Sequence, residues 1–585
     1  MFKISKTIKE KTWIIILFAI FLFSFILDMY VLTRYNISYG RDGPFYDLQV
    51  LSIIQTGFPV SNDPPLAYYV LTPLVILTGN SFLGIKIGMA LIGSLMAVPA
   101  FFLTETFSEK INMESKVPAL LSAFLITVNA FYFQMIGDFM QNLVGVFFLL
   151  LLIYFAVKWF ENTKEWKKYG VLTIILLVCS MFTHIYTGIM AVVLFLSILV
   201  ISLVLKTYKT RKMQFFDIKI LAALGFLIIT GLAVLFAIYP LMFSKFTTVL
   251  SFMNNSSTNS SNMAMGGSIS PLIFLTLPFL LGVFATISVL YNRLKKKTDI
   301  KNSLSNKTLL AGVYLVMAAV IIMLSTLPSI DSQYQSRFMG LAFVPIALIV
   351  PLGLKYIENW LSNRYPSKKG FKIALISIIA VVFAMSSFYT AAGTFSNLGP
   401  SISTDQYNSL VQIKANSIHD KIDPNGIILV NEYHTGYWVQ CVLGMQVETG
   451  NITELQKKYP NRTIYAITLT ENGQSQPKGD FNYSWNPLLP YSFPFGGITL
   501  NSQDKQNSGL PDHQDLNMKN NMTGPPSMSL GNKNGFNRSS SSPPGNFTGQ
   551  NAGSMNKPGN NLNQDYSKYG TLISSENNIK VYKIS

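Results

Sequence analysis

Three aspartates stand close together in a chain that is only 12% charged: Asp42, Asp47 and Asp63, all within RDGPFYDLQVLSIIQTGFPVSNDPPLAYYVLTPLVILTG, residues 41–79. A carboxylate can cap a helix, take a proton from a hydroxyl, or offer hard oxygen ligands to a divalent cation. Asp42 suits a cap, because Gly43-Pro44 follows it and Pro is favoured in a first helical turn. Asp47 lies one turn on and reads as a solvated loop carboxylate. Asp63 precedes Pro64-Pro65. Asp138, in FQMIGDFMQN, falls between two later apolar runs. Among the cations, Arg337 in SIDSQYQSRFMGLAFVP can hold a phosphate with two parallel hydrogen bonds, or snorkel at a membrane surface. Lys245 and His184 (in MFTHIYTG) are two more candidates for a phosphate. His184 reads more readily as a neutral structural histidine.

The elements around these residues follow from periodicity. Phe45, Leu48, Leu51 and Ile54 recur at helical spacing, and Gly57 and Pro59 close that helix. Pro64-Pro65 opens an apolar stretch from Leu66 to Leu77. It is shorter than the ~20 residues of a membrane span and is expected to lie at the interface. Apolar runs of spanning length fall at about 13–31, 83–107, 117–135, 139–158, 170–183, 187–205, 219–240, 271–291, 308–327, 337–354 and 372–392. They predict an α-helical polytopic membrane protein of about eleven spans. The fifth run is short enough to be a half-span paired with the sixth through Thr183-His184. Asp28, near the outer end of the first run, is costly in lipid and is expected to face a cavity.

The net charge of +17 is unevenly placed. Residues 400–585 hold 14 basic and 13 acidic side chains, so nearly all the excess belongs to the apolar part. There it gathers in alternate short loops, which is the positive-inside pattern and not a nucleic-acid face. With the N-terminus cytoplasmic, Lys3–Lys11, Lys158–Lys168, Lys206–Lys219, Arg293–Lys307 and Lys355–Lys372 fall inside. The Asp42 loop and the tail after residue 400 are then extracytoplasmic. The basic N-terminus leads into the first span and reads as a signal anchor. Sequons at Asn254, Asn255 and Asn259 fit an outer loop. Cys179 and Cys441 lie in a span and in the tail, so no disulfide is expected between them.

The tail predicts a small α/β domain: helices near 404–418 and 453–459, strands near 426–431 and 463–470, and a closing hairpin with its turn at Asn577-Asn578. An Asn/Ser/Gly/Pro-rich insertion at about 472–565 is too poor in aliphatic residues to fold and is expected to be disordered. The organisation is therefore 1–399 for the membrane domain, with an outer loop at 32–82, and 400–585 for the tail domain.

One span, then an acidic residue, an aromatic pair, an amphipathic helix and Pro-Pro-Leu is an order that resembles the first outer loop of the GT-C superfamily of membrane glycosyltransferases. Its members include the protein O-mannosyltransferases, the lipid A aminoarabinose transferases and the catalytic subunit of oligosaccharyltransferase. Those families carry Asp-Glu or Asp-Pro at the loop start, where this chain has Asp42-Gly43-Pro44 followed by Phe45-Tyr46. They often carry Lys-Pro-Pro-Leu or His-Pro-Pro-Leu, where this chain has Asp63-Pro64-Pro65-Leu66. The resemblance implies sugar transfer from a polyprenyl-phosphate donor to an extracytoplasmic lipid, glycan or protein. It implies Asp42 as the catalytic carboxylate, Asp138 and Asp63 as acceptor or metal candidates, and Arg337, Lys245 and His184 on the donor phosphate. A divalent cation, Mg or Mn, would sit at Asp42 and Asp138. Glu432–Trp438 faintly resembles the Trp-Trp-Asp-Tyr-Gly region of oligosaccharyltransferase, but without its leading tryptophans and Asp; Trp438 reads as domain core. Two other classes share this outline: a transport or polysaccharide-export protein, and a non-catalytic GT-C-like protein that binds lipid or partner subunits.

Overall fold

A computed structural model describes residues 6–61, 63–106, 113–161, 165–210, 272–295, 306–327, 332–365, 369–417, 422–431, 433–469, 566–576 and 579–584, with residues 225, 228, 229 and 231. Lys245, the sequons, the 472–565 insertion and nearly all of the span expected at 219–240 lie outside these.

Among the described residues nine helices are long and apolar enough to cross a membrane, from Thr12–Thr33 to Gly370–Ser396. The protein is a multi-pass membrane protein by this measure. The run expected at 271–291 forms the helix Leu272–Lys295. Two expected spans are broken where the sequence forces it. The run at 83–107 is Ser81–Leu95 followed by Ala97–Glu105, with Pro99 in the first turn after the break. Pro lacks the N–H that would continue the ladder. The run at 117–135 is Met113–Thr127 followed by Ala130–Asp138, restarted by Asn129, whose side chain accepts the Tyr132 N–H at 2.9 Å.

Two expectations are corrected. The fifth run is not a half-span: Trp166–Thr183 is an 18-residue helix that begins earlier than its apolar core, taking Lys167 and Lys168 into its first turn. Arg337 does not open a span. It lies on a separate short helix, Ser332–Gly340, and the span runs Phe343–Arg364. Hydropathy merged the two and stopped at Lys355, but that lysine continues the helix through an ion pair with Glu358 at 2.6 Å.

Small polar groups cross-link the bundle. Ser24 bonds Thr127 at 2.7 Å, and Ser122 donates to the Ala347 carbonyl at 2.8 Å. Such bonds hold helices together where lipid offers no hydrophobic drive. Asp28 is fully buried and accepts the Tyr132 hydroxyl at 2.5 Å.

The tail domain is a five-stranded sheet in the order β2–β1–β3–β5–β4, from β1 (Ile427–Val430), β2 (Gln446–Thr449), β3 (Ile464–Leu469), β4 (Gly570–Glu576) and β5 (Ile579–Ile584). β1 pairs in parallel with β2 and β3, while β5 runs antiparallel to β3 and β4. Helix Thr404–Ser417 precedes β1, Tyr433–Leu443 connects β1 to β2, and Ile452–Lys458 connects β2 to β3. β2, with only four residues, gave too little alternation to be read from sequence. Ile37 and Phe82 of the outer loop share one core with Ile402, Leu410 and Trp438 of the tail. The Gly40 N–H also bonds the Gly399 carbonyl at 3.0 Å, joining the loop to the start of the tail.

Candidate active site

The loop reaches the site through Gly40, whose backbone is left-handed with φ 68°. A Cβ there would run into the Asp138 carboxylate and the Gly137 carbonyl, so glycine is required on both counts. The next N–H, of Arg41, donates to Asp138 Oδ1 at 3.0 Å. Asp138 ends the helix Ala130–Asp138, where the macrodipole opposes a negative charge, and this amide is what offsets it. Asp42 then occupies the cap position of the helix Gly43–Thr56, yet its carboxylate makes no capping bond. Only its backbone carbonyl serves the helix, accepting the Tyr46 N–H at 3.1 Å. The helix start is instead fixed by Pro44. Gly43 has a local reason too: a side chain there would collide with Ser38.

The Asp42 side chain is open over 37% of its surface. Burial, then the like charges of Asp138 and Asp63, push its carboxyl up to about 7 against the pull of Arg337 and Arg41. Among the residues the sequence singled out, Asp138, Asp63 and Arg337 are therefore each brought within electrostatic reach of Asp42. Arg337 donates to the Tyr186 hydroxyl at 3.3 Å and lies over the Tyr186 ring at 5.5 Å. His184 lies against that tyrosine, its ring 5.1 Å away and tilted by 34°, and its Nδ1 accepts the Tyr186 N–H at 3.4 Å. His184 thus sits one ring removed from Arg337. Asp63 accepts the Ser61 hydroxyl at 2.9 Å.

Asp47 is corrected. It is not solvated but 1% exposed, and it accepts the Cys441 thiol of the tail domain at 2.8 Å. Burial raises it to about 6. The helix Tyr433–Leu443 lies along Gly43–Thr56 and carries Cys441 there. It also carries His434, which sequence reasoning missed. The His434 Nδ1 lies 3.7 Å from Asp42 Oδ1. Burial, then the Arg41 charge, lower its imidazole to about 4, so at neutral pH this contact is not an ion pair. The only sequence signal was a lone histidine beside Tyr437-Trp438. Trp438 is core as expected, fully buried with its indole N–H on Ser401 at 2.8 Å.

Aromatic side chains wall the acidic side. Tyr46 and Tyr68 are buried with ring centroids 5.9 Å apart, and Phe45 meets Tyr68 at 6.2 Å and Tyr437 at 5.0 Å. The Tyr46 hydroxyl accepts the Gln141 N–H at 3.3 Å, while the Gln141 amide donates to the Pro64 carbonyl at 3.1 Å. Two parts of the loop are so tied to the helix that follows Asp138. Lys86, another residue that sequence reasoning passed over, donates to the Tyr35 carbonyl at 2.6 Å and holds the loop entry.

Among the described residues no group of three or more His, Cys, Asp or Glu side chains forms a metal cage. Asp42 and Asp138 are two hard oxygen donors, which suits Mg-type binding that draws its other ligands from water and phosphate.

The chain has the GT-C glycosyltransferase fold. The Archaeoglobus fulgidus oligosaccharyltransferase, in a structure complexed with Zn and sulfate, superposes at a TM-score of 0.51 and 14% identity, over 77% of this chain and 68% of that one. ArnT from Cupriavidus metallidurans, bound to undecaprenyl phosphate, gives 0.42 and 12% over 78% and 93%. Arabinofuranosyltransferase AftD from Mycobacteria gives 0.41 and 12% over 72% and 29%. No protein-family model and no curated protein sequence matches the chain.

Proposed function

We propose that the protein is a membrane glycosyltransferase that moves a sugar from a polyprenyl-phosphate donor to an acceptor hydroxyl on the extracytoplasmic side. The observation that carries this is the Asp42 carboxylate: not spent on capping, raised to about 7, and within reach of both Arg337 and two further carboxylates. A base works best when its pKa lies near the working pH. The lysine and arginine distribution supports an outer position for this loop, where no nucleotide-sugar pool is available and a lipid-phosphate donor serves. The acceptor oxygen attacks the anomeric carbon. The bond from that carbon to the phosphate oxygen breaks, and its electron pair leaves with the phosphate. Asp42 takes the acceptor proton. Arg337 meets the charge that grows on the leaving phosphate. If a divalent cation takes part, it would add Lewis-acid stabilisation of that phosphate, held by Asp42 and Asp138. His434 of the tail domain stands beside Asp42 as a neutral neighbour, its Nδ1 3.7 Å from Oδ1.

The test is release of polyprenyl phosphate from synthetic polyprenyl-phosphate sugars by the full chain in nanodiscs, across a panel of sugars and acceptors. Acceptor-dependent release supports the reading. Binding without release across the panel would leave a lipid-binding protein.

A further inference from the structure

Tyr68 is fully buried, and among the described residues its hydroxyl meets no hydrogen-bond partner. A buried phenol without a partner forfeits its hydration for nothing, and native interiors avoid this unless something else fills the gap. Burial above all, then the charge of Asp63 and more weakly that of Asp42, keeps this hydroxyl protonated, and the Tyr46 ring lies 5.9 Å from its own. It is therefore a hydrogen-bond donor facing an acidic surround. Arg337, by contrast, is felt at Asp42. A phosphate fits Arg337 but would be repelled beside Asp63. Hydroxyl groups fit the Tyr68 side in both directions, accepting from the phenol and donating to the carboxylates. The half-buried rings of Phe45 and Tyr437, 5.0 Å apart and tilted by 48°, give the same side an apolar wall of the kind that packs against the C–H face of a sugar.

We propose that Tyr68, Asp63, Phe45 and Tyr437 form a subsite for a neutral sugar ring, with the Tyr68 hydroxyl donating to one of its oxygens. This rests on the transferase reading above. The ring can come from the donor or from a glycan acceptor.

The test uses Tyr68→Phe in the full chain in nanodiscs, with three probes: polyprenyl-phosphate mannose, bare polyprenyl phosphate, and octyl mannoside, each repeated with glucose where a sugar is present. The unliganded variant should melt at or above the wild-type temperature, because the lost hydroxyl had no partner. If the ring is the donor's, wild type binds the sugar-bearing lipid about tenfold more tightly than the bare lipid, and the variant loses that advantage while binding the bare lipid normally. If it is the acceptor's, the variant keeps both lipid affinities and loses about tenfold toward the octyl glycoside. Unchanged binding of every probe overturns the subsite, and a lower melting temperature alongside it would assign the hydroxyl to an internal water. Wild type that ignores both lipids, yet binds the glycoside through Tyr68, would overturn the transferase reading and keep the subsite.

Discussion

Asp42 and Asp47 sit five residues apart on one loop helix, and they have opposite surroundings. Asp42 is partly open to solvent, among Asp138, Asp63 and Arg337, with the tail domain's His434 beside it. Asp47 faces the tail domain, sealed, with a thiol on its oxygen. Both carboxyls are raised by burial, to about 7 and about 6. The direction of a shift therefore does not tell a reactive acid from a structural one. What differs is access and company: one keeps its oxygens free of capping bonds, and the other uses one to fasten two domains.

The largest effect that would separate them is on transfer. Asp42→Asn is expected to fold and to lose transfer by on the order of 10²–10⁴-fold, the usual consequence of removing a general base. Asp47→Asn keeps an acceptor for Cys441 and should keep transfer within a few-fold. Next comes the phosphate side. Arg337→Ala should weaken donor binding roughly tenfold or more, and Arg337→Lys should recover part of it, since the charge stays but the planar fork is lost. Equal affinity in all three would return Arg337 to interfacial packing against Tyr186.

Smaller effects belong to Asp47. Cys441→Ala removes one of the donors to a buried carboxylate, leaving Ser81, and should cost about 1 kcal/mol of stability, with Cys441→Ser near neutral. Thermal denaturation of both variants checks this, and equal melting temperatures would detach the thiol from the domain contact. The smallest effect is the pH dependence of stability. Asp42 and Asp47 have folded pKa values raised above their unfolded value, so what they contribute is fully present below pH ~4 and is lost as pH rises through about 6 to 7. His434 is depressed, so its share is present above pH ~6.5 and is lost as pH falls through about 4. Melting temperature should thus peak on the acid side of neutrality. A steady rise from pH 5 to 8 would contradict these shifts.

Much of the fold was legible because it rests on local signals. Long apolar runs gave the spans, Pro44 and Pro64-Pro65 gave the loop helices, and the alternation around Asn577-Asn578 gave the β4–β5 hairpin. Where two helices abut in one apolar run, as at Gly340, hydropathy could not divide them. Asp42, Asp138 and Arg337 stood out as rare charges at the ends of apolar runs. Asp47 was misjudged, because its partner lies on a helix almost four hundred residues away and no local pattern carries that contact. His434 and Tyr68 were hidden for a related reason. A histidine or tyrosine among aromatics looks like core until the opposing element is known.

Because the account turns on which of two shifted carboxyls does the chemistry, the most direct measurement is the pH dependence of single-turnover transfer in wild type and in Asp47→Asn. The rate is expected to rise about tenfold per pH unit below about 7 and to level above it, as the Asp42 base form fills, with the same bend in Asp47→Asn. A flat profile from pH 5 to 8, or a bend that disappears with Asp47→Asn, would contradict the assignment of Asp42 as the base.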